Sequence, residues 1–136
     1  MGTSVDMPVI ISGFDHIALT VTSLDAAVDF YTRVLGMREA SSGPGQRAMT
    51  FGDKRINLNS AATVSEPQPQ HPTPGSADLC LITPSPLDAL VAHLAAVGVK
   101  IEEGPVRAEG ANGLVTSVFI RDPDGNLIEV ASYDSL

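Results

Sequence analysis

Four polar side chains fall at positions where a strand would otherwise read as apolar: His16, Asn57, Asp78 and Glu129. An imidazole and two carboxylates can move protons near neutral pH or hold a cation, while a neutral amide is better suited to hydrogen-bonding a ligand. Glu129 lies between Ile128 and Val130, so a cation or a bound proton must offset the cost of burying its charge. A lone histidine such as His16 is equally compatible with a hydrogen-bonded core residue, and Asp78 with a cap on the turn that enters its strand. Arg55 and Asn59 share the parity of Asn57 and line the same face. Cys80 shares the parity of Asp78 and reads as a small buried hydrophobe. His71, in a proline-rich stretch, is either a solvated loop residue or a group folded over the site as a further ligand or acid–base.

The elements that must position these residues come in two copies. Phe14–Val21 is a strand pattern followed by Thr22-Ser23-Leu24-Asp25-Ala26, and Ala77–Thr83 is followed by Ser85-Pro86-Leu87-Asp88-Ala89. The offset from Leu24 to Leu87 nearly equals that from Gly36 to Gly98, and a repeat of this kind dictates the fold. Thr22 and Ser85 are N-cap types with an aspartate three residues on, and Pro86 suits a first helical turn. Leu24, Ala27, Val28, Tyr31 and Leu35, then Leu87, Leu90, Val91 and Leu94, form one apolar stripe each, which places Phe30 and Tyr31 in the core and His93 on the solvent side. Gly36 and Gly98 end the helices. Strands are expected at 37–40, 47–51 and 55–60, with turns at 41–46 and 52–54, and again at 100–103, 114–121 and 127–132. Asp122-Pro123-Asp124-Gly125-Asn126 is a turn; it lacks the later bidentate acid of a calcium loop. The fold class is α+β: two β-α-β-β-β modules, 14–60 and 77–133, form a cupped mixed sheet with helices on its outer face. The folded domain covers 13–136, with modules 13–60 and 77–136, a linker at 61–76 and an N-terminal segment at 1–12, where Met7 is an alternative start. Pro67, Pro69, Pro72 and Pro74 should keep the linker irregular.

Alternation along each strand then gathers the polar set. Ile17, Leu19 and Val21 face the helix and turn His16, Ala18 and Thr20 away; Ile56 and Leu58 do the same for Arg55, Asn57 and Asn59. In the second half Leu79 and Leu81 oppose Asp78, Cys80 and Ile82, and Ile128 and Val130 oppose Glu129. If the two sheets curve toward each other, the four polar residues converge.

Composition narrows the possible partners. Eight basic against sixteen acidic residues give a formal charge of −8 in 136 residues, with no Lys/Arg run, which argues against nucleic acid. The apolar stretches are too short to span a membrane. A single cysteine and no charged-then-apolar leader point to the cytoplasm.

Phe14-Asp15-His16-Ile17, Phe30-Tyr31-Thr32-Arg33-Val34-Leu35-Gly36-Met37 and Asp122-Pro123-Asp124-Gly125-Asn126-Leu127-Ile128-Glu129-Val130 together resemble the vicinal oxygen chelate superfamily of glyoxalases, bleomycin resistance proteins and extradiol dioxygenases. The stretches 51–58 and 71–80 resemble its glyoxalase-domain-containing-5 and virulence-protein subgroup. The resemblance implies a divalent metal (Ni, Co, Mn, Mg or Zn) held by His16, Asp78 and Glu129, with Glu129 also catalytic. Arg55, Asn57, Asn59 and His71 then line the substrate pocket of a homodimer. The family pattern usually has Glu or Gln where Asn57 stands, and often His where Asp78 stands. An oxygen-rich set with one imidazole suits Mn, Co, Ni or Mg. The implied activity is a lyase or isomerase acting on a small dicarbonyl or hydroxy-carbonyl. The alternative is a metal-free small-molecule binding protein of the bleomycin-resistance type. An extradiol dioxygenase fits less well, since Asp78 stands where its second histidine would be.

Overall fold

The computed structural model describes residues 8–133; most of the N-terminal segment expected at 1–12, including Met7, and the last three residues lie outside the described residues. Eight strands and two helices follow in the order β1 (His16–Val21), α1 (Leu24–Asp29), β2 (Arg38–Gly43), β3 (Gln46–Phe51), β4 (Lys54–Ser60), β5 (Asp78–Ile82), α2 (Leu87–Ala96), β6 (Glu103–Gly110), β7 (Gly113–Arg121) and β8 (Leu127–Tyr133). They form two four-stranded mixed sheets, ordered β1-β4-β3-β2 and β5-β8-β7-β6. Each first strand pairs in parallel with the last strand of its own module, and the remaining pairs are antiparallel. This is the paired β-α-β-β-β architecture expected of the sequence.

Alternation sets which face each sheet buries. Leu19, Val21, Met49, Ile56 and Leu58 of the first sheet join Val118, Ile120, Ile128 and Val130 of the second in one core, with Phe30, Tyr31 and Val34 beside α1 and Leu90 and Leu94 of α2. The helix-bearing faces therefore share a single interior and leave the opposite face of each sheet, with His16, Arg55, Asp78 and Cys80, exposed. Burying such leucine, isoleucine and valine side chains contributes about 1.5–3 kcal/mol apiece.

Polar contacts tie the modules together at both ends of the helix layer. The buried Tyr31 hydroxyl donates to Asp122 Oδ2 at 2.7 Å, and Asp122 also accepts from the backbone N–H groups of Asp124 and Asn126 and from Asn126 Nδ2, at 2.8–3.0 Å. The turn beginning at Asp122 thus organises itself around a carboxylate that the first module's tyrosine also uses. At the other end, Arg33 donates to the Val97 carbonyl at 3.1 Å, and the His93 ring donates to the Val34 carbonyl across 2.8 Å. His93 is exposed, as the stripe required, yet it serves as a tie between the modules and not as a free surface residue.

Several boundaries moved for local reasons. Ser23, not Thr22, caps α1 by accepting from the Ala26 N–H at 3.1 Å, while the Thr22 N–H donates to the Asp124 carboxylate at 3.2 and 3.3 Å. Pro86, not Ser85, occupies the N-cap of α2. A π-helical turn, Phe30–Val34, continues α1 where the Thr32 hydroxyl donates to the Val28 carbonyl at 2.7 Å. The turn expected at 41–46 is shorter, since β2 extends to Gly43 and β3 begins at Gln46. The strand expected at 100–103 instead runs from Glu103 to Gly110. Gly104 and Pro105 read as breakers, but β6 is an edge strand with an irregular register between Glu103 and Val106, where a missing donor is tolerated. The linker has no helix or strand from Ala61 to Ala77, as its prolines require.

Candidate functional site

β1 and β4 lie side by side, with His16 opposite Arg55, Ala18 opposite Asn57 and Thr20 opposite Asn59. The second module repeats the arrangement, with Asp78 opposite Leu127 and Cys80 opposite Glu129. Ala18 and Asn57 in one module therefore correspond to Cys80 and Glu129 in the other.

His16 is half exposed, and its Nδ1 lies 2.8 Å from Asp15 Oδ1. A carboxylate can only accept here, so Nδ1 carries a proton and Nε2 is the ring atom not used in that bond. The hydrogen bond to His16 also holds the Asp15 carboxyl below the usual carboxylate range. Glu129 is half-buried and its Oε2 accepts from the Ser117 hydroxyl at 2.6 Å. Ser117 itself is fully buried. Partial burial, then the nearby Glu129 and Asp78 carboxylates, push the Cys80 thiol up and keep it protonated at neutral pH.

His16, Arg55, Asp78 and Cys80 line one cleft of about 630 Å³, together with Phe14, Phe51 and Ile82. Glu129 does not line that cleft. Asn59 accepts from Gln46 Nε2 at 2.9 Å, and His71 opens onto a separate cavity of about 140 Å³ against Ala18 and Thr20. Among the described residues no three His, Cys, Asp or Glu side chains come close enough together to hold a metal ion, so His16, Asp78 and Glu129 do not gather into a ligand set within one chain. Singly, His16 and Glu129 fit a divalent cation. Each has its second polar atom hydrogen-bonded, the support that orients metal-ligating side chains.

Two contributors were not apparent in the sequence. Ser117 looked like an ordinary strand residue; its signal is its shared parity with Phe119, which pairs with Glu129. Arg38 aligns with Thr50, which aligns with Arg55, so it stands on the face of His16.

A model of the glyoxalase/bleomycin resistance protein/dioxygenase superfamily matches residues 13–130. The chain belongs to this superfamily. Among its relatives, "Virulence protein STM3117" of Salmonella typhimurium is 44% identical over 124 residues, covering 91% of this chain and 86% of that protein. Its crystal structure superposes with a TM-score of 0.89, covering 93% of this chain and 100% of that one. "Glyoxalase domain-containing protein RDO1" of Mycosarcoma maydis is 41% identical, over 90% of this chain and 69% of its own length. A lactoylglutathione lyase from Agrobacterium tumefaciens is 27% identical with a TM-score of 0.72, covering 90% and 95% of the two chains. Members of the superfamily bind small molecules, generally use divalent metals and often form dimers. Among the described residues, no helix of this chain is long and apolar enough to cross a membrane.

Proposed function

We propose that this protein is a cytoplasmic glyoxalase-type lyase or isomerase that acts on a small dicarbonyl or hydroxy-carbonyl substrate, with a divalent cation shared between two copies of the chain. The observation that carries the reading is the preparation of His16 and Glu129. Each stands on the open face of its sheet, His16 on the first strand of its module and Glu129 beside the first strand of the other, and each is oriented by a side-chain hydrogen bond. Exposure of Phe14 and Ile82 at the cleft supports a second copy there. His16 and Glu129, with Asp78, would hold the cation, which when bound polarises the substrate's vicinal oxygens. Glu129 is also the group placed to move a proton, its carboxylate positioned by hydrogen bonds from the Ser117 hydroxyl and the Cys80 thiol. Asn57 and Asn59 hydrogen-bond the substrate, and His71 closes on the neighbouring part of the face.

Titration calorimetry with nickel, cobalt and manganese, run beside sedimentation analysis, tests this. His16→Ala and Glu129→Ala should each abolish metal binding with the circular dichroism spectrum unchanged, while Asn57→Ala should alter affinity little. A wild type that binds none of these ions more tightly than about millimolar, roughly −4 kcal/mol, would overturn the enzyme reading. It would favour the second reading, a metal-free small-molecule binding protein, which the absence of a three-ligand cluster among the described residues also suits.

A further inference from the structure

The chain carries twice as many acidic as basic residues, and four of its eight Lys and Arg side chains are neutralised in ion pairs where they stand. Arg33 pairs with Asp29, Arg47 with Asp25 and Glu39, Lys54 with Asp53, and Arg121 with Glu102. Arg38 and Arg55 differ. Both are exposed, and among the described residues neither has a carboxylate within ion-pair distance; Arg55 senses Asp15 only through space. The register places them in one row across the first sheet, Arg38–Thr50–Arg55–His16. Adjacent strands lie about 4.8 Å apart, so Arg55 stands one strand from His16 and Arg38 about 10 Å beyond Arg55. On β1, β3 and β4 the rest of that open face is Ala18, Thr20, Asn57, Asn59, Ala48 and Gln46, without a carboxylate; Asp15, Asp53 and Asp78 line the neighbouring cleft that His16 and Arg55 share.

An unneutralised arginine pair on one face of an anionic protein concentrates positive potential there, and its planar donors match an oxyanion. We infer that this row is an anion subsite and that the substrate carries an oxyanion group, a carboxylate or a phosphonate, bound by Arg55 with Arg38 as the second arm. Placed beside His16, the group would sit next to the substrate's vicinal oxygens, which makes a 2-oxo or 2-hydroxy acid, or the corresponding phosphonate, the fitting class. The inference deepens the proposed function and rests on it for the adjacency to His16, but the anion binding itself needs no cation.

The test uses the metal-stripped full-length protein, with pyruvate, methylphosphonate and the uncharged methyl pyruvate titrated while the His16 ring and arginine side-chain signals are followed by NMR. At least one anion should bind, and methyl pyruvate should bind about tenfold more weakly or not at all. Whichever anion binds more tightly distinguishes carboxylate from phosphonate. Arg55→Gln should weaken the anion about tenfold and Arg38→Gln about threefold, with Arg55→Lys retaining part of the affinity and Arg33→Gln leaving it unchanged. Equal binding of methyl pyruvate, or an unaltered anion affinity in Arg55→Gln, would overturn the subsite. So would an Arg55→Gln protein whose only change is its oligomeric state, which would make Arg55 an ion-pair partner across copies. Because no metal is present, loss of the subsite leaves the cation reading standing, and loss of the cation reading leaves the subsite standing.

Discussion

The two modules share a topology and a core, yet their open faces carry opposite charge. The first presents His16, Arg38 and Arg55 among neutral amides and hydroxyls; the second presents Asp78 and Glu129 beside Cys80, with Glu103 aligned to the same row through Phe119, and its one cation in that set, Arg121 across Leu127 from Asp78, is paired with Glu102. Duplication fixes where a side chain points but leaves its chemistry open, because the helix side must remain apolar whereas much of the open side is in contact with solvent. The modules also differ inside. Tyr31 and Leu94 are fully buried on the corresponding helices, but only Tyr31 has a polar partner, Asp122 of the opposite module.

Removing that partner should break the comparison most severely. Asp122→Ala strips the Tyr31 hydroxyl, two backbone N–H groups and the Asn126 amide of their acceptor, for an expected loss of about 3–5 kcal/mol. Tyr31→Phe leaves three of the four donors in place and should cost about 1–2 kcal/mol. Urea unfolding of the two variants checks the ratio, and similar losses would show that Asp122 acts through the tyrosine alone. Two glycines give the next contrast. Gly75 in the linker has φ +82°, and an added Cβ would lie 2.5 Å from the Asp124 carbonyl oxygen. Gly36 has φ +70° with open space around it. Gly36→Ala should cost about 1–2 kcal/mol from backbone strain alone, and Gly75→Ala distinctly more, as thermal unfolding would show.

The smallest effect concerns Cys80, whose place in the first module is taken by Ala18. Because its thiol is pushed up, less thiolate exists at any mildly alkaline pH, so the pH profile of iodoacetamide alkylation should lie above that of a free cysteine. Glu129→Gln removes one carboxylate and should shift the profile back toward lower pH. An unchanged profile would remove Glu129 as a cause.

The elements and facing of the sheets were readable because alternating apolar residues and paired glycines are local signals. His16, Arg55, Asp78 and Cys80 lie where parity put them. What escaped depended on distant partners. Nothing near Thr22 announces that its N–H belongs to Asp124, nor near His93 that it meets Val34. Gly104-Pro105 reads as a break unless the strand is known to lie at an edge. Asp122 reads as a turn former, and its bond to Tyr31 exists only once the helices have packed. The expected gathering of His16, Asp78 and Glu129 is not met among the described residues, because it depends on how the modules meet, which no alternation within a strand encodes.

The single interior shared by the modules governs how the molecule comes apart. Apolar residues of both sheets and both helices form one buried cluster, so loosening one module uncovers apolar area in the other. Opening by halves is therefore disfavoured, and the slowest-exchanging amides of β4 and β8, central strands of different sheets, should report one common free energy in native-state hydrogen exchange. The repeat in the sequence thus describes two folding motifs and one unit of cooperativity.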